Sequence, residues 1–125
     1  MLRPTSGGLG DPGHILVDPI GARCRCGAQG CLETKVAGWA IAEYGNSDVP
    51  YWLGMGLATF CVIYEPDCIV LGGKISAGGG EPFRAAVAQR MAAICQPRFR
   101  GVPARLSVLG DDAGILGAAA MMDLP

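Results

Sequence analysis

Apolar residues recur at three- and four-residue steps over much of this chain, and glycine and proline fence off the shorter apolar runs between them. From Cys31 to Tyr44, Leu32, Val36, Trp39 and Ala40 share one helical face, which predicts a helix over 31–45 ended by Gly45-Asn46-Ser47-Asp48. Pro50 suits the first turn of the next helix, predicted over 50–65. Trp52, Met55, Gly56, Thr59, Phe60 and Ile63 form its inner side, and Pro66 closes it. Asp67-Cys68-Ile69-Val70-Leu71 then reads as a continuous apolar strand over 67–72, of the kind buried on both faces in a parallel sheet. A helix over 81–96 carries the stripe Phe83, Val87, Met91 and Ile94. A second strand over 104–109 places Leu106 and Val108 on one side, and Asp111 or Asp112 can cap a last helix over 111–122. Near the start, His14-Ile15-Leu16-Val17 is a short β-prone run over 14–17, ended by Asp18-Pro19. The alternation of helix and strand predicts one α/β domain over 1–125.

Composition sharpens this picture. Half of the 125 residues are hydrophobic and few are charged, so the chain should fold around a modest core. A formal net charge of -1 offers no basic footprint, which argues against a nucleic-acid backbone as partner. The first eight residues, Met1 to Gly8, contain no apolar core segment of a secretory signal. The longest apolar stretch, Tyr51 to Tyr64, is shorter than the about 20 residues a membrane span needs. These features lead us to expect a cytoplasmic protein, in which thiols stay reduced and clustered cysteines point to metal before disulfide.

Such a cluster lies in the loop 13–33, which holds the only histidine and three closely spaced cysteines. His14, Cys24, Cys26 and Cys31 can supply one imidazole and three thiolates, a donor set for tetrahedral structural zinc. Gly27 and Gly30 allow the tight loop that brings Cys31 back toward Cys24 and Cys26. Four protein ligands leave no open position, so this ion would not activate water. The plainer reading is unconnected cysteines and a surface histidine. Against it, a long loop with little apolar content needs a staple. Cys61, Cys68 and Cys95 sit within apolar elements and read as small buried hydrophobes.

The run G-H-x9-C-x-C-G-x2-G-C-L-E over 13–33 resembles the zinc loop of the ROK family of sugar kinases and sugar-responsive repressors. Ile63-Tyr64-Glu65-Pro66-Asp67-Cys68-Ile69-Val70-Leu71-Gly72-Gly73 resembles that family's strand before its nucleotide site, and 110–119 resembles its C-terminal helix. The resemblance implies a fold similar to actin and hexokinase (ribonuclease H-like), with two lobes around a cleft. This chain would be a truncated second lobe with the zinc loop inserted.

The resemblance also implies site residues. Asp11 stands where the family usually carries a sugar-binding Glu, one methylene longer. His14 would ligate zinc through one ring nitrogen and present the other to a sugar hydroxyl. Glu33 matches the second sugar-binding carboxylate. Taken alone, Asp11 could cap a turn and Glu33 could favour the positive end of a helix. Gly72 and Gly73 resemble the turn beside the adenosine of ATP, bound with Mg in the intact family, although a plain turn has the same composition.

The expected activity of the lineage is ATP-dependent phosphorylation of glucose or a related hexose or N-acetylhexosamine. Neither the family's Asp-x-Gly-x-Thr phosphate loop nor its Asn-Asp pair with the catalytic aspartate occurs in these residues. The chain alone is therefore expected to lack kinase activity. The connection between Tyr44 and Pro50 also looks shorter than the family's. Two alternatives remain: the sugar-sensing domain of a ROK repressor, or a zinc-stapled interaction domain. The apolar helix over 51–64 could support a homodimer.

Overall fold

A computed structural model describes residues 10–122; 1–9 and 123–125, with the expectations that fall on them, lie outside the described residues. After a cysteine-rich loop come α1 (Glu33–Val36), α2 (Gly38–Tyr44), α3 (Val49–Tyr64), β1 (Ile69–Leu71), α4 (Lys74–Ile94), β2 (Ala104–Leu106) and α5 (Ala113–Met122). Single 3-10 turns cover Pro12–His14, Pro97–Phe99 and Gly110–Asp112.

The helix expected over 31–45 is two helices. Ala37 is extended (φ -75°, ψ 143°) and separates α1 from α2. The break strips the Lys35 carbonyl of a helical partner, and the side-chain amide of Asn46 donates to it instead. The run 14–17 forms no strand: a 3-10 turn ends at His14, and Leu16 makes one isolated antiparallel bridge to Cys31. α3 and α5 keep close to their expected bounds. The Asp48 carboxylate accepts from the Tyr51 N–H at 3.2 Å and caps α3 at its start.

The inner side of α3 differs from the expected one. Gly54, Gly56, Leu57, Ala58 and Cys61 are buried, whereas Thr59 and Ile63 are exposed. α3 is apolar on every side, so periodicity alone could not select its face; the small residues do. α3 packs chiefly on α4. A Cβ at Gly54 would stand 2.8 Å from Arg90 Cβ and 3.0 Å from the Val87 carbonyl oxygen. A Cβ at Gly56 would overlap Leu32 Cδ2 at the end of the cysteine loop. Gly56→Ala should therefore cost about 1–2 kcal/mol, because Leu32 must leave its rotamer, and a thermal melt will register the loss.

α4 starts at Lys74, earlier than the predicted 81, and kinks at Gly80 (φ 56°, ψ -147°) with Pro82 in the turn after the kink. Its second half carries the expected stripe through Val87 and Met91, although Ile94 is exposed. α4 is also the crossover between β1 and β2, which pair in parallel with Ile69 opposite Ala104 and Leu71 opposite Leu106. Both strands are shorter than expected. Val70 is exposed, so β1 is covered on one face rather than two, and Val108 lies beyond the end of β2 in solvent.

The core joins Leu57, Ala58, Cys61, Leu71, Val87, Met91, Cys95, Phe99 and Ala104. Cys61 and Cys95 are buried as expected; Cys68 is exposed at the start of β1. α5 leaves Ile115, Leu116, Met121 and Met122 in solvent. Among the described residues, no helix is long and apolar enough to cross a membrane.

Candidate metal centre

The cysteine loop is built by backbone hydrogen bonds between short segments. Val17 N–H donates to the Gly30 carbonyl at 3.0 Å, Leu32 N–H to Ile15 at 2.9 Å, and Gly30 N–H to Ala22 at 2.9 Å. An antiparallel bridge between Arg23 and Gln29, with Cys24 N–H donating to Ala28 at 2.8 Å, closes a knuckle around Cys26 and Gly27. Gly27 (φ 97°) and Gly30 (φ 77°) both take backbone angles that favour glycine. At Gly30 there is no room either, because an added Cβ would fall on the Asp18 carbonyl oxygen.

This folding brings the four sequence-predicted ligands together. One donor atom from each of His14, Cys24, Cys26 and Cys31 lies within 4.8 Å of the other three. His14 Nδ1 stands 3.6 Å from Cys24 Sγ, and Cys26 Sγ stands 3.7 Å from Cys31 Sγ. Tetrahedral zinc with ordinary bond lengths places such atoms about 3.5–3.8 Å apart, so two edges of the set already have the required length. Cys24 and Cys31 are buried and Cys26 is exposed. Burial pushes the Cys24 thiol up to about 12 and also raises Cys31. Cys26 is lowered, chiefly by a backbone hydrogen bond from Ala28. A cation bound here must displace protons from the two raised thiols.

The two carboxylates flank the same imidazole. Asp11 Oδ2 is 3.2 Å from His14 Nε2, and Glu33 Oε2 is 3.4 Å from His14 Nδ1. Cys24 Sγ also donates to Glu33 Oε2 at 3.3 Å. A Cβ at Gly13 would stand 3.5 Å from Asp11 Oδ1 and 3.9 Å from Glu33 Cβ, so both acids lean over this glycine. Asp11, His14 and Glu33 thus form one polar patch on the ligand cluster, with Asp11 the most exposed of the three.

Trp39, expected only on the shared apolar face of the 31–45 segment, is also a member of this neighbourhood. Its indole N–H donates to Glu33 Oε1 at 3.4 Å. No periodic signal could have found it, because the contact depends on the break at Ala37 that turns α2 back over α1. Lys35 and Asp18 brace the loop with a 2.6 Å ion pair, and the Lys35 ammonium also lies over the Trp52 ring at 4.4 Å.

Gly72 and Gly73 lie at the C-terminal end of β1. There they line a cavity of about 270 Å³ together with Leu71, Ala77, Leu106, Ser107, Gly110 and Asp111. Clefts at the C-terminal ends of parallel strands are where open α/β sheets take their ligands. Ser107 and Asp111 were missed at this position because the sequence carried β2 on to 109, hiding its true end.

The ROK family model matches residues 2–48 and 45–124, nearly the whole chain. The chain belongs to the ROK family. It is 28% identical to a glucokinase of Halalkalibacterium halodurans over 94% of this chain and 48% of the relative. It is 53% identical to the N-acetylglucosamine repressor of Escherichia coli O157:H7 over 38 residues, 30% of this chain and 9% of the repressor. The crystal structure of the ROK hexokinase from Thermus thermophilus superposes with a TM-score of 0.75 at 28% identity, covering 95% of this chain and 50% of that one. The chain thus spans about half the length of the ROK relatives it matches.

The two matched stretches meet at 45–48, in the short connection between α2 and α3. The glucokinase alignment runs over 160 residues yet takes in 94% of this 125-residue ROK chain. The glucokinase therefore carries residues with no counterpart here.

Proposed function

We propose that this ROK chain is the sugar-holding part of a sugar kinase, with structural zinc on His14, Cys24, Cys26 and Cys31 and a hexose or N-acetylhexosamine on Asp11, His14 and Glu33. One observation carries the reading: two carboxylates converge on a single imidazole whose Nδ1 edge belongs to a three-thiol cluster. Bound zinc would supply a closed, rigid anchor for the loop and fix the imidazole tautomer. His14 Nε2 then presents a donor beside Asp11, and Glu33 adds an acceptor, a pattern that suits vicinal sugar hydroxyls. The cavity at Gly72 and Gly73 is the place for the adenosine end of ATP.

Among the described residues we assign none to taking the proton from the attacking hydroxyl or to cradling the transferred phosphate. Phosphoryl transfer depends on that positioning, so we assign this chain binding without turnover. Calorimetric titration of the zinc-loaded chain with glucose, N-acetylglucosamine and N-acetylmannosamine should give saturable heat for at least one of them. Glu33→Gln should weaken that binding about tenfold. A coupled assay with ATP should show no sugar phosphate. Turnover at the rate of an intact kinase would overturn the assignment, and the absence of heat with every sugar would leave an interaction domain. The short, high identity to a repressor favours a second reading, in which the same sugar site belongs to a sensor rather than a kinase.

A further inference from the structure

The carboxylate of Glu33 has neighbours of two kinds. Oε2 faces His14 Nδ1 and Cys24 Sγ, both of which belong to the ligand cluster. Oε1 faces the indole N–H of Trp39 at 3.4 Å, which cannot ligate a metal. Once a cation takes Nδ1 and the Cys24 thiolate, neither can donate to Glu33, and the thiolate repels it. Of the contacts around this carboxylate, the Trp39 N–H is the one that survives metal loading.

Trp39 is itself held from several sides. The Arg25 guanidinium lies over its ring at 4.1 Å and reaches Glu43 at 3.5 Å. Tyr44 packs edge-on with ring centroids 6.0 Å apart, and its hydroxyl donates to the Arg23 carbonyl at 3.0 Å. Arg25 and Arg23 both flank Cys24 in the knuckle. The indole is therefore clamped between α2 and the very loop that carries the ligands.

Building on the sugar-site reading above, we infer that Trp39 is a positioning residue: its N–H holds Glu33 Oε1 so that Oε2 is left free to accept from a sugar hydroxyl. The charge-assisted bond restricts the carboxylate to one orientation before the sugar arrives, so that less side-chain freedom is lost on binding.

Trp39→Phe keeps an aromatic face for Arg25 and removes the donor together with part of the ring. It should retain the parent's zinc content and weaken sugar binding about fivefold. In a double-mutant cycle with Glu33→Gln, the two losses should fall well short of additive, because both break the same arrangement. An independent readout keeps Trp39 in place: Trp52→Phe leaves it as the sole tryptophan, and its emission should shift as glucose or N-acetylglucosamine saturates the site. Parent-like affinity in Trp39→Phe, full additivity with Glu33→Gln, or unchanged emission at saturation would each remove Trp39 from this role while the sugar site stands. If the parent chain binds no sugar, the sugar-site reading fails, and this inference fails with it.

Discussion

Purified with zinc present, the chain should carry one zinc per molecule, and Cys26→Ser should reduce this to near zero. Cys26 suits the test because it is exposed, so replacing sulfur by oxygen there disturbs no packing. Any loss of order then reports a lost ligand rather than a damaged core. The effect should be large, since apparent zinc binding to structural sites of this kind is worth on the order of 10 kcal/mol and is tied to folding. The loop 13–33 has few buried apolar side chains of its own, and its order rests on backbone hydrogen bonds around the cluster. Acid should act in the same direction. Protons compete for the thiolates and the imidazole, so zinc content should fall as pH is lowered, and rise again on neutralisation with added zinc. Metal analysis with circular dichroism across a pH series would record both effects. A Cys26→Ser protein that keeps a full zinc complement would show that the ion is held elsewhere.

Gly30→Ala should be nearly as damaging, and Gly27→Ala far less so. Both glycines have positive φ, so each substitution costs about 1–2 kcal/mol in backbone conformation alone. They differ in what surrounds them. An added Cβ at Gly27 meets nothing within 4 Å, whereas at Gly30 it would fall on the Asp18 carbonyl oxygen and also stand 3.2 Å from Leu16 Cδ1. The chain at Asp18 cannot retreat freely, because Asp18 N–H donates to Gly30 and its carboxylate holds Lys35. Gly30→Ala should thus open the loop at the bridge between Leu16 and Cys31, lose zinc, and cost about 4 kcal/mol or more. Chemical denaturation and metal content on the two variants test the contrast directly. Equal losses would mean that conformation rather than space sets the requirement at Gly30.

Much of this protein was legible along the chain because some signals are local. The four candidate ligands sit within 18 residues of one another, and the two glycines needed to fold them together lie among them. The second half of α4 announced itself through apolar periodicity, α3 through an apolar run between Pro50 and Pro66, and α5 through the aspartates that precede it. Other features depended on contacts between distant residues. The 31–45 segment has a continuous helical pattern, yet it breaks at Ala37, and Asn46 from beyond the next helix takes up the freed Lys35 carbonyl. The helix expected only from 81 begins at Lys74, with Ser76 buried and the irregularity confined to Gly80.

The sequence by itself determined the helix and strand alternation, the donor set that could hold a metal, and the motifs of the ROK family. These follow from residue type and short spacing, which chain geometry translates with little freedom. Tertiary structure decided which face of the uniformly apolar α3 turns inward, because only close approach to α4 and Leu32 rewards its small residues. It decided that β1 has one covered face. It also decided that Trp39 meets Glu33 and that Ser107 and Asp111 join Gly72 and Gly73 around one cavity. Those contacts join residues separated by chain reversals, and no periodicity within a single element encodes where a reversal will point.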